Sequence, residues 1–119
     1  MRFYCTDDTV DLEQYPYHVR DVHISDPFIL ADPKSRCYYT YVQFADTERF
    51  PDVETDKEHG VFYVLESKDL IHWSKPQICF RQNNFWADKD YWAPEVHIWK
   101  GRYYLFSSFR ADGHYRKCQ

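Results

Sequence analysis

Apolar residues in this chain fall in short runs rich in β-branched and aromatic side chains. No window of adequate length keeps them at the three-four spacing of an amphipathic helix. Phe28-Ile29-Leu30, Cys37-Tyr38-Tyr39-Thr40-Tyr41-Val42, Val61-Phe62-Tyr63-Val64-Leu65-Glu66 and Gln77-Ile78-Cys79-Phe80-Arg81 read as strands, each bounded by polar or turn-forming residues. Val96-His97-Ile98-Trp99 and Arg102-Tyr103-Tyr104-Leu105-Phe106 add two more, joined through Lys100-Gly101. Asp32-Pro33-Lys34-Ser35 supplies a turn. Only Lys68-Asp69-Leu70 reads as a single helical turn, capped by Ser67. The pattern predicts an all-β protein.

The pattern also returns. Asp26-Pro27-Phe28-Ile29-Leu30, a turn, and the aromatic strand from Cys37 form one copy. Ala93-Pro94-Glu95-Val96, the Lys100-Gly101 turn, and the aromatic strand from Arg102 form the second, with Pro94 standing 67 residues after Pro27. Self-similarity at a nearly fixed spacing marks a repeat architecture, and about four strands per repeat is the content of a propeller blade. One blade is expected over about residues 22–81 and the start of a second over about 90–109. A ring needs roughly four to eight blades. The 119 residues are therefore expected to be the N-terminal part of a single, longer propeller domain.

Within this frame Asp26 is the first candidate for chemistry. A proline fixes its own φ and favours an extended residue before it, so Pro27 is expected to hold Asp26 extended at the mouth of a strand. The structural alternative is a turn aspartate ahead of an edge-strand proline.

Composition narrows the partners. Aromatic residues make up 20% of the chain, with eleven Tyr and four Trp. Most of these fit the faces between blades, and flat rings also suit sugar-binding clefts. A net charge of −4 with scattered Lys and Arg argues against nucleic acid. No apolar run approaches membrane-spanning length, and the first eight residues lack the apolar centre of a secretory signal, which points to the cytoplasm. Cys5, Cys37, Cys79 and Cys118 are too widely spaced for a zinc ribbon, and Cys37 and Cys79 are expected to be buried strand thiols. The six histidines form no metal box. Asp52, Glu54 and Asp56 alternate like the start of a calcium loop, but Lys57 stands where such a loop requires glycine. Residues 45–59 read as a long acidic connection of the kind that helps shape a cleft. No metal and no cofactor is assigned.

Three stretches in order resemble glycoside hydrolase family 43. They are Asp26-Pro27-Phe28, then Ser67-Lys68-Asp69-Leu70-Ile71-His72-Trp73, then Trp92-Ala93-Pro94-Glu95-Val96 followed by Gly101-Arg102-Tyr103-Tyr104-Leu105-Phe106. The resemblance covers roughly residues 22–109. It implies a five-bladed β-propeller and hydrolysis of arabinose- or xylose-containing glycans with inversion. The related fructan-active clan places its aspartate within Asn-Asp-Pro-Asn-Gly. Ser25 and Phe28 depart from that pattern and favour the pentose-active family.

By the resemblance Asp26 is the general base. The family's second aspartate and its glutamate general acid map to no residue of this sequence. Glu95 occupies the neighbourhood equivalent to Asp26 but follows its proline instead of preceding it, so it is a candidate for substrate contact, not the acid. Trp92 is a candidate sugar platform, with packing between blades as the alternative, and Phe28 a candidate pocket wall. Trp73 and Trp99 read as structural by position. Two functions follow: an inverting glycosidase acting on arabinosyl or xylosyl linkages, or a truncated, non-catalytic module that binds carbohydrate. The expected partner in both is a pentose-containing oligo- or polysaccharide.

Overall fold

The computed structural model describes residues 10–43, 61–83 and 85–119. The acidic stretch 45–59, with its calcium-like alternation, and the N-terminal residues 1–8, with Cys5, lie outside the described residues. Every regular strand pairing is antiparallel, and no α-helix occurs among the described residues.

The first sheet holds six strands. These are β1 (Tyr17–His18), β2 (Ser25–Asp32), β3 (Cys37–Gln43), β4 (Val61–Ser67), β5 (His72–Trp73) and β6 (Gln77–Arg81). Their order is β1-β5-β4-β3-β2, with β6 also paired to β4. The second sheet holds β7 (Lys89–Trp99), β8 (Arg102–Arg110) and β9 (Lys117–Cys118), in that order. β2 and β7 are thus the edge strands of their sheets, and β7 packs against β2 and β3.

Local chemistry sets the turns. Asp32 accepts hydrogen bonds from the Lys34 N–H at 2.9 Å and the Ser35 hydroxyl at 3.0 Å, closing the turn between β2 and β3. Lys100 and Gly101 have φ of +48° and +74°, the paired positive values that a two-residue turn needs to match the twist of β7 and β8. After β4, the Ser67 hydroxyl accepts from the Leu70 N–H at 2.9 Å. Asp69 Oδ1 accepts from the N–H groups of Ile71 (2.8 Å) and His72 (2.7 Å). The capping interaction expected of Ser67 is therefore present, on a bend instead of a helical turn.

β4 divides the core. Tyr63 and Leu65 join Val42 and Trp73 in one cluster on one side of the first sheet. Phe62 joins Ala87, Tyr91 and Phe109 in a second cluster, with Phe80 and Phe85 packed against it. This second cluster is the joint between the sheets: Phe62 lies 5.5 Å from the Tyr91 ring and 6.1 Å from the Phe109 ring, and Tyr91 and Phe109 stack edge to face at 4.9 Å. A polar clasp reinforces the joint, since the Tyr103 hydroxyl donates to the buried Asp32 carboxylate at 2.6 Å.

Three expectations need correction. Cys37 is buried but Cys79 is exposed. The pairing of β4 with β6 passes from Phe62↔Phe80 to Tyr63↔Ile78, so Cys79 is the extra residue of a bulge; the residue is exposed there, while its thiol donates to the Phe62 carbonyl at 3.4 Å and burial pushes that thiol up to about 11. Trp73 is buried as expected of a structural tryptophan, whereas Trp99 is 60% exposed at the tip of the β7–β8 hairpin. Asp26 is not extended: its φ is +48°.

Candidate active site

The conformation of Asp26 has a local cause. The register of β2 on β3 goes from Ser25↔Gln43 to Phe28↔Tyr41, three residues against two, so β2 carries one extra residue there. A bulge of this kind commonly places one residue in the left-handed region, which aspartate tolerates better than most. Pro27 has no N–H to contribute to the ladder and is readily accommodated beside the break. The bulge turns Asp26 out of the pleat: the residue is exposed, and no described residue donates a hydrogen bond to its carboxylate.

β7 repeats the device twice. Its register on β8 breaks between Lys89 and Trp92 and again between Trp92 and Glu95, one extra residue each time. Each break holds a residue with positive φ, Asp90 at +53° and Ala93 at +50°. Ala93 precedes Pro94 as Asp26 precedes Pro27, so the sequence repeat is also a repeat of backbone geometry, with the carboxylate replaced by a methyl group in the second copy.

Trp92 stands between the two bulges of β7 and is 45% exposed. Its carbonyl accepts from the Ser107 hydroxyl at 2.5 Å, which anchors the backbone. The Arg116 guanidinium lies over its ring, 3.7 Å from the centroid. Arg116 is itself tethered: Nη2 lies 3.0 Å from Asp90 Oδ2, and Nη1 donates to the Asp90 carbonyl at 3.3 Å and to the Ser108 hydroxyl at 3.2 Å. Arg110 Nε reaches the same Asp90 oxygen at 2.8 Å.

Glu95 and Phe28 meet through a histidine. His97 Nε2 is 3.5 Å from Glu95 Oε2, and the His97 ring lies 5.3 Å from the Phe28 ring and 6.0 Å from Phe106. Phe28 is half-buried and Glu95 exposed. The four candidates of the sequence therefore fall into three settings: Asp26 exposed on its bulge, Trp92 under Arg116, and Phe28 with Glu95 on either side of His97. Asp90, His97 and Arg116 were not among the candidates. Their partners become visible only once β7, β8 and the segment before β9 are paired. Among the described residues no three His, Cys, Asp or Glu side chains cluster as a metal site requires.

Residues 18–118 match the family described as glycosyl hydrolases family 43. The chain belongs to that family. It is also similar to the solved structure of an endo-arabinase from Bacteroides thetaiotaomicron VPI-5482, with 31% identity and a TM-score of 0.70 over 87% of this chain. The chain spans 32% of the length of that protein. No curated protein sequence matches. The two antiparallel sheets are accordingly a part of the family-43 propeller, as the repeat predicts.

Proposed function

We propose that the protein is an inverting glycosidase of arabinosyl or xylosyl linkages, with Asp26 as the general base. The observation that carries this reading is the bulge at Ser25–Phe28, which projects a carboxylate from the mouth of an edge strand at the position where the family resemblance expects the base. The similarity to an endo-arabinase makes an arabinan the first substrate to try.

In such a reaction a water attacks the anomeric carbon while Asp26 takes its proton, and the C–O bond to the leaving group breaks on the opposite face of the sugar. The leaving oxygen takes its proton from a second carboxyl, roughly 6.5–9.5 Å from the first in inverting enzymes. Asp26 has what the base needs: an exposed carboxylate held by its backbone, to which no described residue donates a hydrogen bond. Trp92 offers a ring for the sugar to stack on.

The test is Asp26→Asn in the whole protein. Asparagine is nearly isosteric and tolerates positive φ, so the bulge should persist. Release of reducing ends from linear arabinan should fall by about a thousandfold while the unfolding temperature stays unchanged. Retained activity in this variant would refute the role. Binding of arabino-oligosaccharides by the parent protein with no release of reducing ends from arabinan or xylan would favour the carbohydrate-binding reading instead.

A further inference from the structure

Arg116 is the residue whose arrangement the preceding reading leaves unused. Four observations bear on it. Its guanidinium lies 3.7 Å from the Trp92 ring centroid, at stacking distance. Three polar contacts hold it there, from the Asp90 carboxylate, the Asp90 carbonyl and the Ser108 hydroxyl. Its anchor, Asp90, occupies the first bulge of β7 at φ +53° and is also bound by Arg110. Trp92 nevertheless remains 45% exposed, so the stacked cation leaves much of the indole open.

These facts argue against the simplest alternative, a mobile charge that happens to rest on a ring. A guanidinium fixed by a carboxylate, a carbonyl and a hydroxyl has little freedom left, and its planar fork loses less entropy in being fixed than an ammonium would. A surface tryptophan left alone samples several rotamers. One pressed against a fixed planar cation does not. Binding energy is lost whenever a ligand must first order the side chain that receives it.

We infer that Arg116, tethered by Asp90, is a positioning residue for substrate: it backs one face of Trp92 and presets the indole as a platform for a pentose ring. This rests on the reading of Trp92 as a sugar contact. Because Arg116 acts through Trp92 and not on the reacting atoms, its loss should weaken substrate and transition state alike. That predicts a raised KM with kcat nearly unchanged.

The experiment measures linear arabinotriose binding by calorimetry, and arabinan hydrolysis kinetics, for the whole protein and the variants Trp92→Ala, Arg116→Leu, Arg116→Lys and Asp90→Asn. Arg116→Leu should weaken arabinotriose binding about five- to tenfold, the scale of a partly desolvated cation–π stack, and raise KM by a similar factor. Arg116→Lys, which keeps the charge but not the planar stack, should recover part of the loss. Asp90→Asn, which loosens the tether without removing the cation, should show a smaller loss in the same direction and serves if Arg116→Leu does not fold. Unchanged or tighter binding in Arg116→Leu or, where that variant does not fold, unchanged or tighter binding in Asp90→Asn would overturn the inference, as would a fall in kcat with KM unchanged. Unchanged binding in Trp92→Ala would remove the platform reading itself, and the role of Arg116 with it. Weakened binding in Trp92→Ala alone would leave that reading standing and reject only the part given to Arg116.

Discussion

The two sheets are built from the same repeat yet solve different problems. The first is covered on both sides, by the Val42, Tyr63, Leu65 and Trp73 cluster on one and by the Phe62 cluster on the other. The second buries Tyr91, Val96 and Phe109 but leaves Trp99, Tyr103, Tyr104 and Phe106 between 37% and 60% exposed. The same division runs through the candidate site. On β2 one bulge presents an exposed carboxylate; on β7 two bulges bracket a ring that is anchored by its backbone and backed by a tethered arginine. On the proposed reading, a proton-accepting group must be reachable and a stacking surface must be fixed, and the two settings fit those different demands.

Substitutions can break this comparison at several strengths. The largest stability effect is expected at Phe62, a fully buried ring at the joint between the sheets. Phe62→Ala should cost about 3–5 kcal/mol, and chemical denaturation should show the sheets losing cooperativity together. Asp26→Asn should leave the same denaturation curve in place while abolishing hydrolysis, which separates the stability of the joint from the chemistry at the bulge.

The clasp between Tyr103 and Asp32 comes next. Tyr103→Phe should cost about 1–2 kcal/mol. Burial pushes the Asp32 carboxyl up, but hydrogen bonds from Tyr103, the Lys34 N–H and Ser35 outweigh it and hold the carboxyl below the usual 3.8. A carboxyl lowered in the folded state contributes stability above its unfolded value, and that contribution disappears as pH falls from about 3.8 through the lower, folded value. Acid titration of unfolding should therefore show a smaller loss in Tyr103→Phe than in the parent over that window. An identical acid profile in both would mean that the clasp adds nothing to the joint.

The smallest effect is expected at Ala93. It holds φ +50° with a side chain that has no local hydrogen bond to offset the strain, unlike an aspartate or asparagine. Ala93→Gly should be neutral to stabilising, by up to about 1 kcal/mol. Destabilisation by this change would show that the methyl group is a packing contact and that the two bulges at the Pro positions are not equivalent.

The strands and hairpin turns were legible because their causes are local. Alternation, β-branched runs, and the residues at Asp32–Ser35 and Lys100–Gly101 act over a few positions. The repeat was legible because its proline and aromatic strand recur. The bulges were not. A bulge inserts a residue that breaks the period of two, so Tyr91 and Val96 are both buried although five positions separate them, and Cys79 is exposed within an apolar run. The expectation of an extended Asp26 failed for the same reason, since the preference imposed by Pro27 yields where the ladder carries an extra residue. The two-residue strands Tyr17–His18, His72–Trp73 and Lys117–Cys118 lack enough length for any periodicity and exist through their partners. The tether of Trp92 joins Asp90 to Arg116 across 26 positions, a distance at which sequence pattern carries no signal.

β2 carries near its start the carboxylate proposed as the base and ends on a buried one. Asp26 stands at its open mouth and Asp32 at its buried foot, about 20 Å along the strand, where it grips the neighbouring sheet through Tyr103. On the proposed reading, a screen for inactive variants should return both positions, and activity alone would not tell them apart. Heat would: a protein crippled at the foot should regain function at low growth temperature, whereas one altered at the mouth should be as dead in the cold as in the warm.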